Sequence, residues 1–226
     1  MGITSVLFIG LMVGVNSNIN QQRYRESVFN LSTDLQDQYN EVDNTRNERD
    51  ENWRCVDGNV AEDSTSGEAR GTSECVLLGR AVEIYEDGTK IRTLSVIGVE
   101  PSDPDESSDI GVLNEHNPKL STFSETDDYL DWGVSLKGED NRPSTLSMLI
   151  LRSPASGLLR VFASENPLPS DLSTMINAAS TNDVSVCIDG DRGTLPRYSL
   201  AVNPSIAGPD GIVVQEGLDG EGNLVC

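Results

Sequence analysis

The chain reads as an α+β protein: a long N-terminal α-helix packed on a mostly antiparallel β-domain that closes with a C-terminal disulfide loop. Three observations predict this. Residues 1–42 carry an unbroken helical pattern, the remainder carries strand-length apolar runs separated by turn residues, and the four cysteines fall as an early and a late pair. A length of 226 residues accommodates one β-rich domain behind such a helix.

The helix starts apolar on all sides. Val6, Leu7, Phe8, Ile9, Leu11, Met12 and Val13 dominate the first 15 residues, and no charge occurs before Arg23. It then becomes amphipathic without a break. Tyr24, Val28, Leu31, Leu35, Tyr39 and Val42 recur at three- and four-residue spacing, with Arg23, Arg25, Glu26, Asp34, Asp37 and Glu41 between them. That is the period of a helix with one apolar stripe. No proline precedes position 101, so nothing forces a break. A helix of roughly 40 residues is about 60 Å long. Residues 1–20 are read as an apolar segment, and the stripe after them as a seat for the β-domain. Charged substitution at Val28, Leu31 or Leu35 is then expected to disturb that domain.

Three readings compete for the apolar start. Its 15 residues fall short of the roughly 20 that span a bilayer. A secretory signal calls for a basic flank and a small-x-small cleavage site before Asn16, which this stretch lacks. The helical pattern instead runs straight through residues 16–20, which favours a longer apolar helix beginning upstream of Met1. A buried core helix is the plain alternative.

Charge narrows the partners. The chain has 37 acidic and 16 basic residues, a formal net charge of −21, with no Lys/Arg cluster. A nucleic acid of the same sign would be repelled rather than steered, so direct nucleic-acid binding is not expected. Strong acidity with abundant small polar residues fits an extracellular, solvent-facing domain. An even cysteine count in such a chain suggests two disulfides, for which three connectivities exist. The spacing favours Cys55–Cys75 and Cys187–Cys226.

The remaining residues, 43–226, are read as a β-rich head. Residues 43–75 are polar, then rich in Gly, Ser, Asp and Glu, and read as a stapled loop in which Trp53 and Cys55 dock the chain. Residues 75–85 and 90–99 are β-rich runs joined across Asp87-Gly88, a hairpin signal. Residues 100–128, with Pro101, Pro104 and Pro118, read as an acidic surface loop. Residues 129–136 read as a strand. Residues 146–152 and 158–163 read as a second hairpin. Ser170 and Asp171 suit the cap of a short helix through residue 179. Residues 184–188, 198–202 and 212–215 complete seven to eight strands.

This succession, an apolar helix turning amphipathic, a stapled loop, a β-domain and a C-terminal disulfide loop, resembles the type IV pilins and the type II secretion pseudopilins. Gln21-Gln22-Arg23-Tyr24-Arg25-Glu26-Ser27-Val28 with Asp34-Leu35-Gln36, and Val186-Cys187-Ile188 with Asp191-Arg192-Gly193, are similar to minor pilins of the GspH/FimT type. The resemblance implies a structural subunit of a type IV pilus or related secretion filament. Its helix would lie in the cytoplasmic membrane before assembly and then pack against the helices of other pilin subunits in a cell-surface filament. It also implies a leader, a cleavage site and the start of the mature helix upstream of Met1, with a prepilin peptidase acting on the full-length form. The competing reading is an adhesin: a secreted or membrane-anchored extracellular binding domain whose apolar start is a signal or anchor.

Catalytic patterns are sparse. A single histidine, His116, removes most Ser-His-Asp and Cys-His arrangements, and Gly-x-Ser-x-Gly and Walker A motifs are absent. Any carboxylate pair among 37 acids is uninformative, so no enzyme is expected and no catalytic or metal-ligating residue is assigned. No Cys-x-x-Cys zinc pattern occurs. Asp189-Gly190-Asp191 offers one calcium-like fragment, a Ca²⁺ candidate at Asp189 and Asp191, but it lacks the later ligands of a calcium loop and an ordinary tight turn explains it better. No other cofactor is expected.

Overall fold

A computed structural model describes residues 2–44, 53–56, 59–62, 73–103, 105–138, 140–178, 183–190, 195–206, 208–217 and 226, with the backbone alone for residues 2–17, 53, 59, 61, 62 and 123. The protein is α+β. Helix α1 spans Gly2–Asp43. A small antiparallel hairpin follows, β1 (Trp53–Val56) with β2 (Asn59–Glu62). Then come β3 (Cys75–Tyr85), β4 (Lys90–Val99), α2 (Asp109–Glu115), β5 (Lys119–Tyr129), a 3-10 turn at Asp131–Gly133 and β6 (Val134–Lys137). They are followed by β7 (Leu146–Arg152), β8 (Leu159–Ser164), α3 (Leu172–Ala178), β9 (Val184–Gly190), β10 (Tyr198–Val202) and β11 (Ile212–Glu216).

The strands form a five-stranded sheet, β5-β4-β3-β7-β8, and a four-stranded sheet, β11-β10-β9-β6, every pairing antiparallel. One core joins them to α1. Val82 and Ile84 of β3, Leu146, Met148 and Ile150 of β7, and Val186 and Ile188 of β9 meet the apolar stripe of the helix there. A second core lies on the opposite face of the larger sheet, where Leu149, Leu151 and Phe162 pack under Leu113 of α2 and Leu172 and Ile176 of α3. The interior strand β7 therefore buries residues of both parities, Leu146 through Leu151, as a strand covered on both faces must.

Two glycines shape the larger sheet. The β3–β4 register shifts between Leu77 and Gly79, and Gly79 has φ +157°. A Cβ there would lie 2.0 Å from the Ile150 carbonyl oxygen, so no other residue fits without backbone movement. This bulge flips the side-chain parity: Leu78 joins Ala81 on the α2/α3 face while Val82 and Ile84 face α1. At the hairpin tip Glu86, Asp87 and Gly88 all have positive φ. A Cβ on Gly88 would come within 2.5 Å of the Leu136 carbonyl, and Leu136 N donates to the Gly88 carbonyl at 2.9 Å. The tip of the larger sheet is thereby fixed to β6 of the smaller one.

Several expectations need correction. The 43–75 stretch is not all loop, because β1 and β2 pair within it; the side chain of Trp53 lies outside the described residues. The 100–128 stretch is not a solvated loop either. Ser108 caps α2 by accepting from Gly111 N, and β5 follows as a long edge strand. Its alternation of Ser, Thr, Asp and Glu looks loop-like because an edge strand presents charge to solvent to discourage further pairing. The 129–136 strand begins only at Val134, because Trp132 adopts φ +55° and breaks the chain into a turn. Eleven strands are present among the described residues rather than seven or eight. His116 is buried at the C-terminus of α2, with Nδ1 2.7 Å from the Val112 carbonyl oxygen, rather than placed in an acidic loop. Asp189 and Gly190 belong to β9, not to a turn.

Candidate functional site

Helix α1 is the element on which a function can be built, and its seat starts at Tyr24. The six stripe residues, Tyr24, Val28, Leu31, Leu35, Tyr39 and Val42, are each at most 5% exposed. Burying side chains of this size contributes about 1.5–3 kcal/mol apiece. Polar contacts fix the register. The Tyr24 hydroxyl donates to the Ile188 carbonyl at 3.1 Å, and its ring stands 5.9 Å from that of Tyr198. Burial, and then the neighbouring charge of Asp189, raises the Tyr24 pKa, so the phenol keeps its proton and remains a donor. Gly190 leaves room for that ring: a Cβ there would sit 2.9 Å from it. Ser27 Oγ donates to the Asp131 carbonyl at 2.9 Å, and Gln36 Nε2 to the Ile212 carbonyl at 3.1 Å. At the far end Glu41 pairs with Arg80 at 3.2 Å, and Arg152 donates to the Asp43 carbonyl at 3.0 Å. A guanidinium on the last carbonyls of a helix complements its dipole.

The disulfides pin the two ends of the head. Cys55 bonds Cys75, tying β1 to the start of β3, with the Cα atoms 5.8 Å apart. Cys187 bonds Cys226 with a Cα separation of 5.4 Å, and Arg197 donates to the Cys226 carbonyl at 3.1 Å. The last residue is thus held on the β9 edge of the site that receives Tyr24.

On its other flank α1 leaves an open groove of about 460 Å³ against the larger sheet. Ser27, Asn30, Asp34, Asp37, Gln38 and Glu41 line the helix wall, and Thr126, Asp128, Tyr129 and Asp131 the wall opposite. Tyr129 is 70% exposed at the rim, and Trp132 beside it is 60% exposed with the Arg23 guanidinium 4.4 Å above its ring. In the sequence Asp34, Asp37 and Glu41 stand only as polar residues between the stripe positions. Their own three- and four-residue spacing is the signal that would have placed them on one flank. Tyr129, Asp131 and Trp132 carried no such signal, since only the tertiary fold brings that turn to the helix.

The remaining sequence candidates are distributed as follows. Val6, Leu7, Phe8, Ile9, Leu11, Met12 and Val13 lie within α1, and their side chains are outside the described residues. Among the described residues no helix is long and apolar enough to cross a membrane, so the transmembrane helix expected at the N-terminus is not found there. Asp191 is also outside the described residues, while the Asp189 carboxylate lies 3.9 Å from the Arg197 guanidinium. Among the described residues no cluster of three or more His, Cys, Asp or Glu is arranged to hold a metal ion. Comparison of the chain with protein-family models, curated proteins and solved structures finds no match.

Proposed function

We propose that the protein is a structural subunit, of the minor pilin or pseudopilin kind, that joins a cell-surface filament through the start of α1. The observation that supports this reading is the division of one helix into two parts. From Tyr24 onward its apolar stripe is consumed by the head, whereas the sequence before residue 16 is apolar on every side and has no use within the stripe's pattern. A segment of that kind needs other apolar surface: lipid before assembly, neighbouring helices afterwards. Exchange of one for the other keeps each CH₂ out of water, worth about 0.8 kcal/mol. The mechanism is association without chemistry, and the described head supplies rigidity and an outward surface.

The test is residence in a sheared cell-surface fraction from cells expressing the protein, with terminal peptide sequencing of the recovered chain. Recovery with the apolar segment retained is expected, and Val13→Glu should remove the protein from that fraction while leaving the melting temperature of the head unchanged. Recovery of a chain that starts within residues 16–20 would mean a cleaved signal and would end the filament reading.

A further inference from the structure

A large exposed ring stands beside the point where α1 leaves the head. Trp132 is 60% exposed, and the Arg23 guanidinium lies 4.4 Å from the centre of its ring. Its backbone is held at φ +55°, a region that bulky residues rarely enter. Two bonds to the Asp131 carbonyl fix this turn, one from Ser27 Oγ at 2.9 Å and one from Val134 N. The ring is thereby presented beside the helix and belongs to neither core. Arg23 is also the first charged side chain in the sequence, and residues 16–22 before it are Asn, Ser, Asn, Ile, Asn, Gln and Gln.

Helix geometry gives the depth of this pair. The stretch that is apolar on every side ends at residue 15. Side chains of an α-helix lean toward its N-terminus, so the Arg23 guanidinium covers the turn of residues 19–22. That turn lies about 6–10 Å beyond residue 15 at 1.5 Å per residue. The headgroup layer of a bilayer is about 5–8 Å deep on each side of the hydrocarbon. With residue 15 at the edge of the hydrocarbon, Trp132 and Arg23 stand in the outer part of that layer, and exposed Ile19 lies just below them. Tryptophan is favoured at this depth because its ring is apolar while its indole N–H still finds a partner, and a guanidinium there meets lipid phosphate. We propose that Trp132, with Arg23, docks the base of the head on the headgroup layer of a lipid bilayer while the apolar start of α1 is immersed. The inference rests on the lipid-held state of the proposed function and adds the contact that sets the height of the head above the membrane.

A net charge of −21 opposes anionic lipid, so the test uses vesicles of dioleoylphosphatidylcholine. The full chain is reconstituted into them, and flotation reads its anchoring. Lipid that carries a nitroxide on the headgroup, or midway along the acyl chain, then quenches tryptophan emission by proximity. The sequence has two tryptophans, Trp53 and Trp132. The Trp132 signal is the difference between wild type and Trp132→Phe, and Trp53→Phe reports it directly if the first variant does not fold. The headgroup nitroxide is expected to remove at least half of the Trp132 emission, and at least twofold more than the acyl nitroxide removes. Floating protein whose Trp132 is quenched by neither probe overturns the proposal and leaves the filament reading standing. Stronger quenching by the acyl probe places the ring in hydrocarbon and also overturns it. Protein that does not float removes the lipid-held state, and this docking with it.

Discussion

Asp109 shows how one side chain ties local sequence to tertiary structure. It is the first residue of α2, where a carboxylate favours the helix dipole, and it accepts two bonds from Arg160 of β8 at 3.2 and 2.8 Å. The Ser156 hydroxyl and the Arg160 guanidinium hold its pKa at about 2, well below the usual carboxylate range. A depressed pKa favours the folded state above the unfolded value and loses that contribution as pH falls through the folded one. Wild-type protein should therefore melt higher than Asp109→Asn at pH 7, with the gap closing between about pH 4 and pH 2. Melting curves across that range check it; a gap that persists at pH 2 would mean that the carboxylate charge is not what binds α2 to β8. The sequence offered Asp109 as one acid among many, since Arg160 lies 51 positions away and only the fold reveals the partner.

At the scale of elements, local periodicity made the fold legible wherever one face is buried. The stripe on α1 has the spacing the sequence suggests because burial on one side imposes a period on the residues, whereas the β3–β4 and β7–β8 hairpins show as strand-length apolar runs because the larger sheet is covered on both faces. Edge elements escape that rule. Strand β5 is written in Ser, Thr and acids, α2 is only seven residues long, and the β1–β2 hairpin lies in a polar segment, so each reads as loop. The bulge at Gly79 was invisible for another reason: it is demanded by the Ile150 backbone, more than 70 residues away in sequence. The helix seat gives the sharpest test at this scale. Leu31 is 3% exposed in the core shared by both sheets, and Leu31→Glu would place a charge there beside Asp34. Destabilisation of about 3 kcal/mol or more is expected. For a chain of this size that corresponds to a drop in Tm of about 6 °C or more, read by circular dichroism. An unchanged Tm would mean that the head does not need α1.

The whole molecule sets specific neutralisation against an excess of like charge. Its described cations are largely committed: Arg92 pairs with buried Glu83 at 2.5 Å, Arg160 with Asp109, Arg80 with Glu41, and Lys90 with Glu86 at 3.0 Å. With 37 acids and 16 bases in the chain, carboxylates far outnumber the cations that could neutralise them. Two disulfides offset part of that repulsion by constraining the unfolded chain, about 3 kcal/mol for Cys55–Cys75 and about 4 kcal/mol for Cys187–Cys226 in the loop-entropy picture. Screening acts on both kinds of interaction but not equally. Short pairs that are partly buried are shielded less than exposed charges a Debye length apart, which is about 30 Å at 10 mM salt and about 8 Å at 150 mM. Repulsion is therefore the larger casualty of added salt. The oxidised protein is expected to gain a few degrees in Tm between 10 and 150 mM NaCl, and the reduced protein to gain more, since its unfolded chain is free to expand and relieve the same repulsion. A Tm that falls with salt in the oxidised form would show that the surface ion pairs, rather than the net charge, dominate its electrostatics.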